Sequence, residues 1–311
     1  MTHAQLRIGT RASLLARTQS GLVADALASA LGSEVLLVEV STEGDVSAAP
    51  LVSFGGVGVF VGALRDALLR GDVDVAVHSL KDLPTGSHPD IVLAAVPLRE
   101  DPRDAVVARD GLTLGELPAR ARVGTGSPRR ASQLHALGLG FDVAEIRGNV
   151  DTRIRKVLSG EYDAVVVARA GLARLGRLEE VTEVLDPLLM LPAPGQGALA
   201  VECRAVDGEL ADDIRQALDD PRTRAAVTAE RTVLADLEAG CSAPVGALAE
   251  VAEGDDGDEL WIRAVALSLD GVLAVRRSRT GSPEDAAGVG HRLAQEMLAD
   301  GAGSLIEEHA S

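Results

Sequence analysis

Arg122-Val123-Gly124-Thr125-Gly126-Ser127-Pro128-Arg129-Arg130 reads as a short strand that runs into a glycine turn and then into the start of a helix. Ser127 is a natural N-cap and Pro128 a natural first helical residue. Outward from this stretch the pattern repeats. A helix is expected over 127–137, a strand over 142–146, a helix over 149–159 and a strand over 164–168. The same alternation precedes it, with a strand at Leu6-Arg7-Ile8, a helix-like stretch over 13–31 and a strand over 34–40. A helix over 60–70 and the strand Val73-Asp74-Val75-Ala76-Val77 follow. In the helix over 13–31, Leu15, Leu22, Ala26 and Ala30 are expected to share the buried face. This βαβα order implies parallel or mixed sheets flanked by helices, with ligands at the carboxyl ends of strands.

Two proline-containing connections interrupt the alternation: Pro97-Leu98-Arg99-Glu100-Asp101-Pro102-Arg103, and 186–195 with Asp186-Pro187 and Pro192-Ala193-Pro194-Gly195. They bracket a self-contained α/β block, which suggests one domain inserted into another, with two crossing strands as a hinge and a cleft between the lobes. After Asp219-Asp220-Pro221 the texture changes. A helix over 223–237 precedes a Gly/Asp-rich turn around Gly254-Asp255-Asp256-Gly257-Asp258. Two strands, over 260–269 and 272–277, join at Asp270-Gly271, and a last helix places Val289, Leu293 and Met297 in register. The expected organisation is a discontinuous first domain over 1–98 and 198–218, an inserted second domain over 103–190, and a smaller α+β third domain over 220–311.

The chain has 311 residues and a formal charge of −17, from 47 Asp+Glu against 30 Lys+Arg. That balance argues against a nucleic-acid binder, and five aromatic residues are too few for stacking on single strands. No apolar run reaches the length of a membrane span. Met1–Gln5 leads into strand without a signal-type apolar segment, so a cytoplasmic, soluble protein is expected. Two cysteines, Cys203 and Cys241, give neither metal-ligand spacing nor a disulfide framework. The charge is uneven: residues 120–177 hold 11 Lys+Arg against five Asp+Glu, while 205–260 hold four against 15. The inserted domain is basic.

The positions of the arginines carry more than their number. Arg129 and Arg130 fall in a first helical turn, where the macrodipole disfavours cations by a few tenths to about 1 kcal/mol each. An anion shared by guanidinium forks and backbone N–H groups resolves the conflict. Arg147-Gly148-Asn149-Val150-Asp151-Thr152-Arg153 repeats the arrangement, with Asn149 or Asp151 as the cap. Thr10-Arg11-Ala12-Ser13 does so after the first strand, and Arg169 and Arg174 follow the strand over 164–168. Several such junctions suggest a ligand with many carboxylates or phosphates. Gly55-Gly56-Val57-Gly58 matches no phosphate-binding fingerprint and reads as a loop. His78-Ser79-Leu80-Lys81-Asp82-Leu83-Pro84 closes a strand with one of only two lysines beside a carboxylate. Alone, Lys81 and Asp82 are an ordinary surface pair; at a cleft, Asp82 is a candidate acid/base or cation-stabilising group. Cys203 reads as a buried small hydrophobe. Cys241, in the small-residue loop Gly240-Cys241-Ser242-Ala243, is a nucleophile, a tether or incidental.

Six motifs taken in order are specific together. They are Arg7-Ile8-Gly9-Thr10-Arg11-Ala12-Ser13, the run 78–84, the run 124–130, the run 147–153, Pro194-Gly195-Gln196-Gly197, and Gly240-Cys241. Over essentially the whole chain the sequence resembles the porphobilinogen deaminase (hydroxymethylbilane synthase) family. The resemblance implies two periplasmic-binding-protein-like domains with mixed sheets, joined by a two-segment hinge, plus a smaller α+β C-terminal domain. It implies a dipyrromethane cofactor held by a thioether, with Cys241 at the matching position. It further implies that four porphobilinogen molecules add head to tail with loss of ammonia, the linear tetrapyrrole then leaving by hydrolysis. Asp82 matches the family's catalytic aspartate. Arg11, Ser13, Ser127, Arg129, Arg130, Arg147, Arg153 and Arg174 match positions that contact acetate and propionate groups, and Lys81 is expected to join them. Gln196, at the crossover, and Thr125 are expected to support the site, and Phe60 to pack on a pyrrole ring or in the core. Ser53 and Val57 stand where many relatives carry lysines, so the resemblance carries no cationic role over to that loop and leaves a lid role open. The expected state is a metal-free monomer whose partners are porphobilinogen and the growing pyrrole chain. A non-catalytic bilobal binder of a polycarboxylate is the alternative from another class. A Cys-His hydrolase using Cys241 and His78 is a more distant one.

Overall fold

Gln5–Thr10 forms strand β1, and the extended Ser13 that follows accepts the Ala16 N–H on its hydroxyl (3.3 Å), starting helix α1, Leu14–Leu31. The helix ends at Gly32, whose positive φ of 64° supplies the left-handed C-cap. The computed structural model describes residues 5–40, 58–240, 243–254 and 257–310. The chain divides into one unit of residues 1–99 with 198–224 and another of residues 100–197 with 225–311.

In the first unit, α1 is followed by Glu34–Glu39 (β2), helix α2 (Gly58–Leu69), Val75–Ser79 (β3) and Ile91–Ala95 (β4). The sheet is completed by a strand that returns much later, Leu199–Arg204, in the order β2, β1, β3, returning strand, β4. The first three run parallel, and the returning strand is antiparallel to both its neighbours. One face packs Leu6, Ile8, Val75, Val77, Val201 and Cys203 against Val23 and Leu27 of α1. The other packs Ala76 and Ile91 against Leu64 and Leu68 of α2.

The expected face of α1 is corrected here. The helix buries Gln19, Ser20, Val23, Ala24 and Leu27, whereas Leu22 is 51% exposed and Ala26 and Ala30 also face solvent. The helix is apolar on more than one side, so its periodicity selects no unique face. The sheet makes the choice, because Leu27 joins Ile8 in the core and Gln19 reaches Ser79.

The second unit repeats the plan with Asp104–Ala108 (β5), Arg122–Gly124 (β6), helix α3 (Pro128–Ala136), Asp142–Ala144 (β7), helix α4 (Val150–Leu158) and Ala164–Ala168 (β8). The short helix α5 (Arg169–Arg174) and Glu183–Val184 (β9) follow. The sheet order is β7-β6-β8-β5-β9. β7, β6 and β8 are parallel, while β5 is antiparallel to β8 and β9. The returning strand of the first unit is β10, Leu199–Arg204, followed by helices α6 (Gly208–Leu218) and α7 (Pro221–Asp236). Of the two strands that break the parallel run, β5 lies outside the sequence expectation, because its small apolar residues carry no alternation.

The third sheet is an antiparallel meander of Val245–Gly254 (β11), Gly257–Leu267 (β12) and Ala274–Gly281 (β13). It has three strands where the sequence suggested two. β11 is rich in Ala and Gly, which have weak strand propensity. Helices α8 (Ala286–Ala299) and α9 (Ala302–Ala310) complete the chain. Val289, Leu293 and Met297 are fully buried against the sheet and α7, as their spacing predicted. Each such side chain contributes about 1.5–3 kcal/mol of transfer free energy.

Two connecting segments lie side by side within the second unit, where the Glu100 N–H donates to Gly197 O (3.3 Å). Gly197 has φ +88°, and a Cβ placed there stands 2.3 Å from Glu100 O. Gly197→Ala is therefore expected to cost about 2 kcal/mol or more through backbone strain and overpacking, read as a lower urea midpoint. An unchanged midpoint contradicts this packing. No described helix is long and apolar enough to cross a membrane.

Candidate active site

In the first unit the candidate residues sit where two strands end. Arg11 is half-buried directly after β1, and Ser13 is committed to capping α1. β3 runs into a single 3-10 turn, Leu80–Asp82, closed by the Leu83 N–H donating to Leu80 O (3.1 Å). Lys81 and Asp82 are half-buried on this turn. Leu80 is fully buried beneath them, and its N–H donates to Ala198 O (3.0 Å) at the start of β10. The Ser79 hydroxyl and the buried Gln19 amide lie 3.3 Å apart on the α1 face.

In the second unit, Ser127 occupies the N-cap position of α3, but its hydroxyl makes no capping bond. Its own N–H donates to Thr125 Oγ1 (3.2 Å). Pro128 takes the first helical position as expected. Arg129 and Arg130 are only 3% and 5% exposed. They turn onto Asp104, the first residue of β5, which is completely buried. Arg130 Nη2 and Nε lie 2.8 and 3.1 Å from Asp104 Oδ1, and Arg129 Nη2 lies 2.8 Å from Oδ2. Arg130 also donates to Val166 O (3.1 Å) and Arg129 to Leu191 O. Gln196 joins from the connecting segment, its Nε2 donating to Asp104 Oδ1 (2.8 Å) and to Pro102 O (2.7 Å). Burial alone would raise the Asp104 carboxyl; Arg129 and Arg130 outweigh it and hold the group well below the usual carboxylate range.

One anion beside Arg129 and Arg130 is supplied by the protein itself, as Asp104. It neutralises one charge of two. Nearby, Arg153 donates to Gly148 O (2.9 Å), and burial first, then the Arg130 charge, pushes its pKa down to about 10. Asn149, not Asp151, caps α4, accepting the Thr152 N–H (2.9 Å). Arg147 is exposed and paired with Glu145 (2.7 Å). Arg174 donates to Gly197 O (2.6 Å); burial lowers its pKa while the Glu100 charge raises it.

The structure thus brings Thr125, Ser127, Arg129, Arg130, Arg153 and Gln196 around one end of the second sheet, and leaves Arg147 on the surface. Cys241 lies outside the described residues, as do Ser53, Val57 and the side chain of Phe60. Among the described residues no cluster of three or more His, Cys, Asp and Glu is arranged to hold a metal ion. Sequence reading missed three buried carboxylates. Asp104 is one; Glu202, on β10, is another; Glu230, on α7, accepts the Gly195 N–H (2.6 Å) and the Ala249 N–H (2.8 Å). Only Glu202, inside the apolar run Leu199-Ala200-Val201-Glu202-Cys203, carried a signal in the sequence, since carboxylates are buried only when paired.

Residues 6–212 match the family model described as porphobilinogen deaminase, dipyromethane cofactor binding domain, and residues 224–299 match its C-terminal domain. The chain belongs to the porphobilinogen deaminase family. Among curated relatives, the porphobilinogen deaminase of Nocardia farcinica is 58% identical over 315 residues, covering 100% of this chain and 90% of that one. The porphobilinogen deaminase of Mycobacterium tuberculosis is 60% identical over 306 residues, covering 97% of this chain and 98% of its own. Among solved structures, the methionine-binding protein MetQ aligns over 69% of this chain and 89% of its own, at 12% identity and a TM-score of 0.43. The family model of this porphobilinogen deaminase is named for a dipyrromethane-binding domain, and within its second unit Arg129 and Arg130 share the single carboxylate of Asp104.

Proposed function

We propose that this chain condenses four porphobilinogen molecules head to tail, with loss of ammonia, and releases the linear tetrapyrrole hydroxymethylbilane by hydrolysis. The observation that carries the reading is the family match, which spans both ends of the chain. The dipyrromethane, when bound, supplies the pyrrole α-carbon on which the chain is begun. Cys241 is the residue proposed to hold it through a thioether. Asp82 is proposed to stabilise the cation left on the incoming pyrrole when ammonia departs, its carboxylate placed by the turn at the end of β3. Arg11, Ser13, Lys81, Ser127, Arg129, Arg130, Arg147, Arg153 and Arg174 are proposed to hold acetate and propionate groups, with Thr125, Gln196 and Phe60 in support.

Arg153 illustrates why the charge pattern suits this work. A half-buried guanidinium whose pKa is lowered gains from an anion, because a carboxylate offsets both its desolvation and the repulsion from Arg130. In the same reading the protein is a cytoplasmic monomer that binds neither nucleic acid nor membrane. Its domains are 1–98 with 198–218, 103–190 and 220–311.

Intact mass after denaturation tests the tethering. The protein is expected to exceed its sequence mass by two linked pyrrole units, and Cys241→Ser is expected to remove the excess and the activity together. An unmodified protein with full activity would sink this assignment.

A further inference from the structure

We propose that Arg65, Glu202 and His78 form a buried positioning triad that holds the end of β3, and with it the turn presenting Lys81 and Asp82. The proposal rests on the reading of Asp82 given above and names residues that act through it rather than on substrate.

The register of the first sheet puts the three groups together. β10 runs antiparallel to β3 with Ala200 opposite His78 and Glu202 opposite Ala76. Directly opposed residues share a face, and so do residues two apart on one strand, so His78 and Glu202 lie diagonally on one face. That face is covered by α2, which packs Leu64 and Leu68 with Ala76. From the same helix Arg65 reaches down and grips Glu202 with two bonds, Nε to Oε2 at 3.0 Å and Nη2 to Oε1 at 2.6 Å. His78 Nε2 stands 3.3 Å from Glu202 Oε2. The side chains of His78 and Glu202 are each 4% exposed, and that of Arg65 is 14% exposed. Burial would raise the Glu202 carboxyl, but His78 and Arg65 outweigh it and hold it down at about 2. The carboxylate stays charged, held by the Arg65 fork with the His78 ring packed against it.

This cluster is more than β3 needs to stay in the sheet. A central strand covered by helices on both faces is held by ladder bonds and apolar packing, and an ion pair there adds little net stability over a hydrophobic filling. What a charged pair adds is geometry: a fork on a carboxylate fixes the distance and rotation of α2 against β10. On the opposite face, Ser79 meets Gln19 of α1. The last two residues of β3 are therefore held by side chains from both faces, and Leu80 is pinned by its N–H to Ala198. Asp82 follows two residues later. A carboxylate that stabilises a developing cation works only if its position is fixed before the cation forms, and about 1 Å of misplacement can cost about a hundredfold in rate.

The test uses the full-length holoenzyme and porphobilinogen. In the double variant Arg65→Met/Glu202→Met the pair is replaced by side chains of similar length, so the fold is expected to persist with its urea midpoint near the parent's. The expected result is a fall in kcat of about tenfold to a hundredfold, with KM within about twofold and the cofactor mass retained. Arg65→Lys keeps the charge and is expected to recover part of the kcat that Arg65→Met loses. A merely structural role would move the urea midpoint and leave kcat alone. A stable double variant with parental kcat, beside an inactive Asp82→Asn, overturns the triad and leaves the reading of Asp82 standing. Near-normal turnover by Asp82→Asn overturns that reading and the triad with it.

Discussion

Replacing Asp82 by alanine is expected to lower turnover by about a hundredfold to a thousandfold, the usual loss when one preorganised electrostatic group is removed. The turn that carries Asp82 is anchored by buried Leu80, by the Leu83 N–H bond to Leu80 O, and by the Leu80 N–H bond to Ala198 O. None of these involves the Asp82 carboxylate. The variant is therefore expected to fold, to keep its cofactor by intact mass, and to lose kcat without a matching change in KM. Steady-state consumption of porphobilinogen reads the effect. A rate within a few-fold of the parent would remove Asp82 from the chemistry.

The second large effect is on stability. Asp104→Asn leaves Arg129 and Arg130 buried without their carboxylate, and removing one partner of a buried ion pair typically costs about 3–5 kcal/mol. Urea unfolding at neutral pH is expected to show that loss, and a change within about 0.5 kcal/mol, the usual range for surface sites, would contradict the burial described. The pH dependence has a definite sign. Asp104 is depressed in the folded state below its usual 3.8, so the unfolded chain takes up the proton first. Its contribution is complete above the unfolded value and is lost as pH falls through the lower folded value. The gap between parent and Asp104→Asn is therefore expected to be constant from neutral pH to about 4 and to narrow only in stronger acid. Narrowing towards alkaline pH would refute it.

Asp104 also changes the meaning of the arginines at the start of α3. Two cations in a first helical turn break a local rule, and the chain itself sets a carboxylate against them. Asp104 gives one carboxylate to two guanidinium groups, so one positive charge of that pair is left over, with Arg153 beside it. Gln196 ties this cluster to the connecting segment through Pro102 O, so the charge network and the crossover are one construction.

Much was legible along the chain because the signals are local. Strands and helices alternate with period two and period 3.6, Ser13 and Asn149 announce helix starts, and Val289, Leu293 and Met297 mark a buried stripe. The order of six motifs identified the family without any contact being known. What escaped depends on residues far apart in sequence. The buried face of α1 was settled by Gln19 meeting Ser79, across a separation no periodicity reads. β5 and β11 were missed because small residues become strands only when neighbours supply the ladder. Asp104 and Arg130 are 26 residues apart, and Arg65 and Glu202 are 137 apart. The sequence by itself determined which chemistry the chain carries, because the motifs and the supply of arginine are properties of composition and order. Only the tertiary structure decided which charges cancel and which remain, because the energy of an ion pair depends on distance and burial, and neither exists until the sheets are assembled.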